Sequence, residues 1–314
     1  MSTVRTLLPT DLPALLAHPG LSAENAAFPR ERLGAGDSHA TLSVVRDQLR
    51  AFARQRSAWV SMRRQRVQGL VGARQRGGNE AWEIDYLLDA TTDRGLTAKL
   101  LEYAVARAGK EGAQKLFLRL PAGSDLLQSV LHAGFLAYQE ETLYVQEAPF
   151  SPTSAPEGLR AVARSDSYPL FRLYCAAVPE SVRRFEAATF DEWHAAQERR
   201  WHKNGPHFVL DRNGALHARV RACRLPQGLM LDLLLDSESS DEAVGLVSAA
   251  IAAADSSGEP VLALLPQAAE AAARALQDAG FTAHTEYVSL MRRTTKPLAL
   301  PRKVPVVAKN AVGV

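Results

Sequence analysis

The amino-acid sequence predicts a mixed α/β fold that occurs twice along the chain. The chain has 314 residues, of which 46% are hydrophobic and 23% charged, enough for two domains with buried cores. Segments with the alternating pattern of strands are interleaved with segments of helical periodicity. Landmarks recur in the same order about half a chain apart, for example Ala133-Gly134-Phe135 and Ala279-Gly280-Phe281. These observations favour two copies of one domain over an array of many small repeats.

The clearest element of the first half is a helix over residues 97–108. Leu100, Leu101, Ala104 and Val105 form one stripe at helical spacing, and Gly109 ends the pattern. Further helices are expected near residues 12–17, 44–54 and 126–133. Strands are expected over residues 4–7, 58–62, 67–75, 83–88, 115–120 and 142–146.

The second half repeats this order. Residues 82–89 correspond to 229–236, and residues 115–121 correspond to 261–266. Between two strand-like segments of this half, Asn213 and Gly214 predict a tight hairpin turn, because this pair readily supplies positive φ angles.

Composition marks the boundary between the halves. Three prolines and two serines lie between Ala148 and Pro156, which is typical of a linker. We expect a first domain over 1–148, a linker over 149–157, a second domain over 158–292 and a tail over 293–314. The last 23 residues carry six basic residues and no acidic one, so the tail is expected to lie along a surface of this chain or of a partner.

The sequence also bears on location and on metal binding. Two cysteines are too few for a disulfide framework, which favours a reducing compartment. No apolar run reaches the roughly 18 residues that span a bilayer, and residues 1–16 lack a signal-peptide layout. We therefore expect a cytoplasmic protein without membrane contact. His194, His202 and His207 lack the spacing of metal ligands, and a helix over 190–203 is expected to pack its tryptophans in a core.

The order of elements resembles the GNAT acyltransferase superfamily, twice, over about residues 1–146 and 158–292. Residues 131–135 and 276–281 are similar to the late Gly-Phe segment of that family. The resemblance implies a tandem GNAT-like protein that transfers an acyl group, most simply acetyl from acetyl-CoA, to a primary amine of a small molecule or a protein. Because family domains often pair through their sheets, it also implies a homodimer.

In the family, a loop before the long helix holds the cofactor diphosphate on backbone amides, and the central strand holds the pantetheine arm. The resemblance implies cofactor contacts in the first half at Leu87, Leu88, Thr92, Arg94, Gly95, Leu96 and Thr97. Only Gly95 matches the family's glycine pattern, so a purely structural turn stays an alternative.

The corresponding loop of the second half, residues 237–242, has three acids and no glycine. Like charges in a phosphate site lower affinity. We therefore expect this half to be structural or to shape the acceptor site, with Ser239 or Ser240 capping the following helix.

Candidate catalytic groups are few. Glu83 and Asp85 alternate with apolar residues and so share one strand face, where a carboxylate would act as the base; a solvated acidic face is the alternative. The tyrosine that serves as the acid in the family is replaced by Val130 and Leu276. Tyr138 or Tyr144 would substitute only if the fold brings it close. The alternative function is therefore a catalytically inactive pseudo-acetyltransferase that acts in binding or assembly.

A run of arginines suggests a third interpretation. Between Asp47 and Glu80 the chain has no acidic residue, so a basic helix and hairpin would attract a nucleic acid or another polyanion. The alternative is a solvated helix face followed by a hairpin. The arginines concerned are Arg50, Arg54, Arg56, Arg63, Arg64, Arg66, Arg74 and Arg76.

Overall fold

The computed structural model describes residues 3–16, 26–34, 56–63, 66–89, 91, 94–147, 153–198, 205–255 and 258–294. Within these ranges the chain forms one continuous mixed sheet with helices on its faces. The strands are β1 Thr3–Thr6, β2 Arg56–Arg63, β3 Arg66–Gln75, β4 Ala81–Asp89, β5 Lys115–Pro121, β6 Leu136–Gln146, β7 Leu159–Ala161, β8 His207–Arg212, β9 Ala215–Leu225, β10 Gly228–Leu235, β11 Val261–Pro266 and β12 Thr282–Arg293. The helices are α1 Leu12–Leu16, α2 Arg94–Lys110, α3 Leu127–His132, α4 Ser167–Ala177, α5 Glu180–Glu186, α6 Phe190–Ala196, α7 Ala243–Ala253 and α8 Glu270–Asp278.

The two halves of the sheet exchange their closing strands. The strand order is β1-β2-β3-β4-β5-β12-β6-β11-β10-β9-β8-β7. Strand β12 lies between β5 and β6, with Val288 opposite both Leu120 and Glu140. Strand β6 in turn pairs with β11 of the second half. Each half is therefore completed by the last strand of the other half, an exchange that the repeat in the sequence did not predict.

Most predicted elements are confirmed where the structure describes them. Helix α2 contains the expected stripe, and Leu100, Leu101 and Ala104 are fully buried against β3 and β4. Helix α7 places Leu246 and Val247 in the corresponding core of the second half. Burying a leucine side chain contributes about 2 kcal/mol, so these stripes attach the helices to the sheet.

Turns and ends are also informative. Asn213 and Gly214 have φ angles of 55° and 82° and connect β8 to β9, which confirms the predicted hairpin. The helix expected over 190–203 is too long, because it ends at Ala196 and Gln197 is extended with ψ of 126°. Trp193 is buried in a core, as expected.

Several predictions lie outside the described residues. They concern the helix near 44–54, residues 148–152 of the linker and residues 295–314 of the tail, so the expected domain boundaries stay predictions. In the described ranges, no helix is long and apolar enough to cross a membrane.

Candidate functional site

The two predicted catalytic carboxylates, Glu83 and Asp85, are buried on one face of β4. Glu83 lies 2.6 Å from a guanidinium nitrogen of Arg74 on β3 and 3.3 Å from Arg76, the residue that follows β3. Asp85 lies at a register shift between β3 and β4, with its carboxylate 3.7 Å from Arg74. The shared face is confirmed, whereas the solvated acidic face is wrong, because arginines inside the fold match these charges. Their catalytic role stays a prediction.

The predicted cofactor loop follows β4. Gly95, Leu96 and Thr97 form the first turn of α2, while Thr92 and the side chain of Arg94 lie outside the described residues. The Asp89 carboxylate accepts hydrogen bonds from the Thr97 hydroxyl at 2.6 Å and from the Thr91 amide at 2.9 Å. A carboxylate of this chain is therefore already present near the positive end of the helix.

Residues 26–34, which we term the strap, lie in the gap between β4 and β5. These parallel strands pair only from Ala81–Lys115 to Glu83–Phe117, and then they separate. The Ala26 amide donates to the Leu87 carbonyl at 3.1 Å, and the Phe28 amide donates to the Arg119 carbonyl at 3.0 Å. The strap thus spans both strand edges, and Leu88 is buried on the β3 side.

The second half holds the strap from its other side. The Gln227 side chain donates to the carbonyls of Glu31 at 3.1 Å and Leu33 at 2.8 Å. Ala27 is fully buried in the first-half core. Burial alone would raise the pKa of Glu31, but the charge of Arg74 lowers it to about 2, so Glu31 carries its charge at neutral pH.

Among the described residues, no segment bridges the corresponding gap of the second half. Strands β10 and β11 pair in parallel up to Asp232–Leu264 and then separate. Beyond that pair lies a cavity of about 710 Å³, which we term the cleft, within the size range of small-molecule sites. Its walls come from the ends of β10 and β11, the start of α8, helix α5, residues 196–198, and strand β6 with Arg30 and Arg119 of the first half. Both halves therefore build the cleft, and the exchanged strand β6 contributes Tyr138 and Glu141.

A group of buried arginines and carboxylates crosses the cleft wall. Arg119 donates to Glu141 and to Glu198, each at 2.8 Å. Glu198 also pairs with Arg30 at 3.2 Å and with Arg76 at 3.3 Å. Burial would raise the pKa of Glu198, but the charges of these three arginines lower it below its usual value, so it stays ionised.

Glu186 differs from this group. It accepts a hydrogen bond from the Tyr174 hydroxyl at 3.0 Å, and no arginine of the described ranges pairs with it at contact distance. Burial raises the pKa of Glu186 above its usual value, and burial likewise raises the pKa of Tyr174. A half-buried carboxylate with a raised pKa in a cleft is a candidate general base.

Sequence reasoning missed Glu186, Tyr174 and Glu198. They belong to helices and loops without a family motif, and only their position around the open gap marks them. Of the two substitute tyrosines, Tyr138 lines the cleft and Tyr144 packs in the second-half core.

The loop after β10 keeps its acidic character. The Asp236 carboxylate contacts His217 at 2.8 Å, and Glu242 pairs with Arg212. No described side chain caps α7, and the Ser239 hydroxyl is buried without a hydrogen bond among the described residues. The side chain of Ser240, the other expected cap, lies outside them. Capping by Ser239 is therefore wrong, because the chain first forms a short 3₁₀ turn over Ser240–Glu242.

The arginine run is divided by the fold. Arg74 and Arg76 are buried in ion pairs, which contradicts a uniformly solvated basic face, whereas Arg63 and Arg66 are exposed at the β2–β3 turn. Arg50, Arg54, Arg64 and the side chain of Arg56 lie outside the described residues. No cluster of three potential metal ligands occurs in the described part of the chain.

The architecture matches solved acetyltransferases. A GCN5-related N-acetyltransferase from Sphaerobacter thermophilus has a TM-score of 0.56 and 14% identity, over 93% of this chain and 95% of its own. A tandem GNAT protein from the clavulanic acid biosynthesis pathway has a TM-score of 0.54 and 14% identity, over 93% of this chain and 98% of its own. This chain has a tandem GNAT fold. No family model matches the chain, and no curated protein matches it.

Within this tandem GNAT fold, the residues fit one end of an acyl-CoA better than the other. The cleft has a volume of about 710 Å³, and the edge of β10 beyond Asp232, where a pantetheine arm would pair, has no paired strand on the cleft side among the described residues. The phosphate end does not fit well. Residues 237–242 offer Glu238, Asp241 and Glu242 and no glycine, so the diphosphate would meet like charges.

Proposed function

We propose that this protein is an N-acyltransferase that works in the cleft of its second half, with a primary amine as acceptor and an acyl-CoA as donor. The observation that carries the proposal is the open gap between β10 and β11 with Glu186 at its wall. The alternative cofactor position in the first half, around Gly95, stays a prediction. The hydrogen bonds of Ala26 and Phe28 to both strand edges argue against it.

The residues of the cleft suit the proton transfers of amide formation. An acyl-CoA supplies a thioester carbonyl that an amine attacks. Glu186, with its raised pKa, accepts a proton from an ammonium more readily than an ordinary glutamate does. The Tyr174 hydroxyl orients that carboxylate. Tyr138, on the β6 wall of the cleft, is a neutral hydrogen-bond donor.

The second candidate function is binding or assembly without catalysis. The acidic loop after β10 favours this alternative, because it opposes a diphosphate where the fold would hold one. The strap favours it as well, since the first-half gap is occupied by the chain itself.

Calorimetric titration with acetyl-CoA tests the proposal. Two variants give a matched pair, since each replaces a small exposed residue beyond the parallel strands of one half. Ala268→Trp fills the mouth of the cleft, and Gly95→Glu adds a charge at the start of α2. We expect the wild-type protein to bind, Ala268→Trp to weaken binding at least tenfold, and Gly95→Glu to leave it within about twofold.

The reverse pattern, with loss only in Gly95→Glu, would move the cofactor site to the first half. No heat of binding at millimolar acetyl-CoA would reject the enzyme hypothesis and leave the binding function. If the protein binds acetyl-CoA, its turnover is then measured with a panel of amines, and the released CoA thiol reports amide formation.

A further inference from the structure

The floor of the cleft concentrates positive charge around one carboxylate. Arg219 and Arg221 alternate on β9, so both side chains lie on one face of the sheet. The Asp232 carboxylate on β10 accepts from Arg219 at 2.5 Å and from Arg221 Nε at 2.9 Å. Arg30 of the strap approaches the same carboxylate at 3.4 Å. Three guanidinium groups thus share Asp232.

Among the described residues, Arg219 donates one hydrogen bond to Asp232, whereas Arg221 donates two. Arg30 has a second carboxylate partner in Glu198, whereas Asp232 is the only ion-pair partner of Arg219 among the described residues. The Arg219 side chain is 8% exposed, and its Nε makes no hydrogen bond in the described structure. Buried guanidinium N–H groups are normally satisfied, and guanidinium groups match oxyanions in two-point geometry.

The charge balance agrees with this geometry. Burial lowers the pKa of Arg219 to about 10, and the neighbouring charges of Arg221 and Arg30 act in the same direction, against Asp232. Among the described residues, Asp232 is the one carboxylate at ion-pair distance from both Arg219 and Arg221, so its single charge does not balance the two guanidinium groups. Arg219 is one of the residues that line the cleft, so a ligand bound in the cleft lies next to it.

We propose that Arg219 forms an anion subsite, which binds a carboxylate or phosphate group of the ligand that occupies the cleft. The carboxylate of Glu186, in the same cleft, raises the pKa of Arg219 and so favours its charged form. On the proposed function, the acceptor is then an amine that also carries an oxyanion, as amino acids and phosphorylated amines do. The anion subsite itself does not depend on acyl transfer.

Nuclear magnetic resonance of arginine side chains tests the subsite directly. The Nε–H signal of Arg219 is assigned by its absence from the spectrum of Arg219→Lys. The wild-type protein is then titrated with sodium acetate and, separately, with inorganic phosphate, at ionic strength held constant with sodium chloride. We expect the Arg219 signal to shift saturably with the anion that fits, acetate for a carboxylate ligand and phosphate for a phosphorylated one.

Thermal unfolding gives an independent readout. The same anion should raise the unfolding midpoint of the wild-type protein by more than that of Arg219→Lys, since a ligand that binds only the folded state stabilises it. Arg224→Lys is the control, because Arg224 lies on the same strand but is exposed and paired with Glu259. It should respond as the wild-type protein does.

A wild-type Arg219 signal that moves with neither anion would overturn the proposal, even if Arg219→Lys fails to fold and the signal is assigned by triple-resonance spectra. Equal midpoint shifts in the wild-type protein and in Arg219→Lys would also overturn it. A saturable shift in a protein that does not bind acetyl-CoA would keep the anion subsite and reject the acyltransferase.

Discussion

Glu186 and Glu198 lie in the same cleft, yet their surroundings move their pKa values in opposite directions. Glu198 contacts three arginines, whereas Glu186 accepts a hydrogen bond from a phenol. The difference separates a structural carboxylate from one suited to exchange protons.

The raised pKa of Glu186 has a consequence for stability. In the window between its unfolded and folded pKa values, the folded protein keeps a proton that the unfolded chain releases. The wild-type protein therefore loses stability as the pH rises through that window. Glu186→Gln resembles the protonated form, so its stability relative to wild type should increase from pH 4.5 to pH 8, as urea unfolding at both pH values measures.

Glu157→Gln is the control for this comparison, because Glu157 is exposed in a turn. Its effect on the unfolding midpoint should be the same at both pH values. If Glu186→Gln is as destabilised at pH 8 as at pH 4.5, or more so, then the pKa of Glu186 is not raised in the folded protein.

At the residue scale, the sequence predicted which strand face a side chain occupies better than it predicted which residue pairs with that side chain. The alternation of β4 correctly assigned Glu83 and Asp85 to one face. Their partners Arg74 and Arg76 could not be predicted, because that pairing depends on the register between β3 and β4, which shifts near Gly72. For the same reason, arginines that look like a basic surface in the sequence are partly internal.

Among the elements, the hairpin between β8 and β9 is where local sequence decides the structure. Gly214 has a φ angle of 82°, and an added Cβ would meet no atom within 4 Å. Gly214→Ala therefore tests backbone conformation alone. We expect it to lower the free energy of unfolding by about 1 kcal/mol, since the left-handed region costs other residues that much.

Gly123→Ala is the matched control for the hairpin. An added Cβ at Gly123 also meets no atom within 4 Å, but its φ is not in the left-handed region. Alanine there should be neutral or slightly stabilising in the same urea titration. Equal effects of the two substitutions would show that the turn does not need a glycine.

The strap is an element that the sequence did not reveal. Its residues have neither helical nor strand periodicity, and its hydrogen bonds join Ala26 and Phe28 to strands about 60 and 90 positions further along the chain. The family resemblance implied cofactor contacts in the first half and a second half that is structural or shapes the acceptor site. Among the described residues, the gap that no segment bridges is that of the second half. The loop sequence bears on phosphate contacts and carries no information on what lies between the strands.

At the scale of the whole molecule, the duplication was visible and the strand exchange was not. Strands β6 and β12 follow the same Gly-Phe landmark in each half, so either could close either sheet by local sequence alone. The consequence of the exchange is that residues of the first half reach the cleft of the second.

The exchange predicts that the two halves do not fold independently. Without residues 153–314, strands β5 and β6 lose β12, and β6 also loses β11. Strand edges left unpaired in the middle of a sheet are prone to aggregation. A chain cut into residues 1–150 and 151–314 should therefore give two fragments that are unfolded or aggregated when expressed alone.

Mixed or expressed together, the two fragments should assemble into a complex of equal stoichiometry. Circular dichroism of each fragment and of the mixture, with size-exclusion chromatography coupled to light scattering, measures this. The intact chain is the control for the spectrum of the folded state. Two fragments that fold separately as monomers, with cooperative unfolding of their own, would contradict the exchange, because each sheet would then have closed on its own last strand.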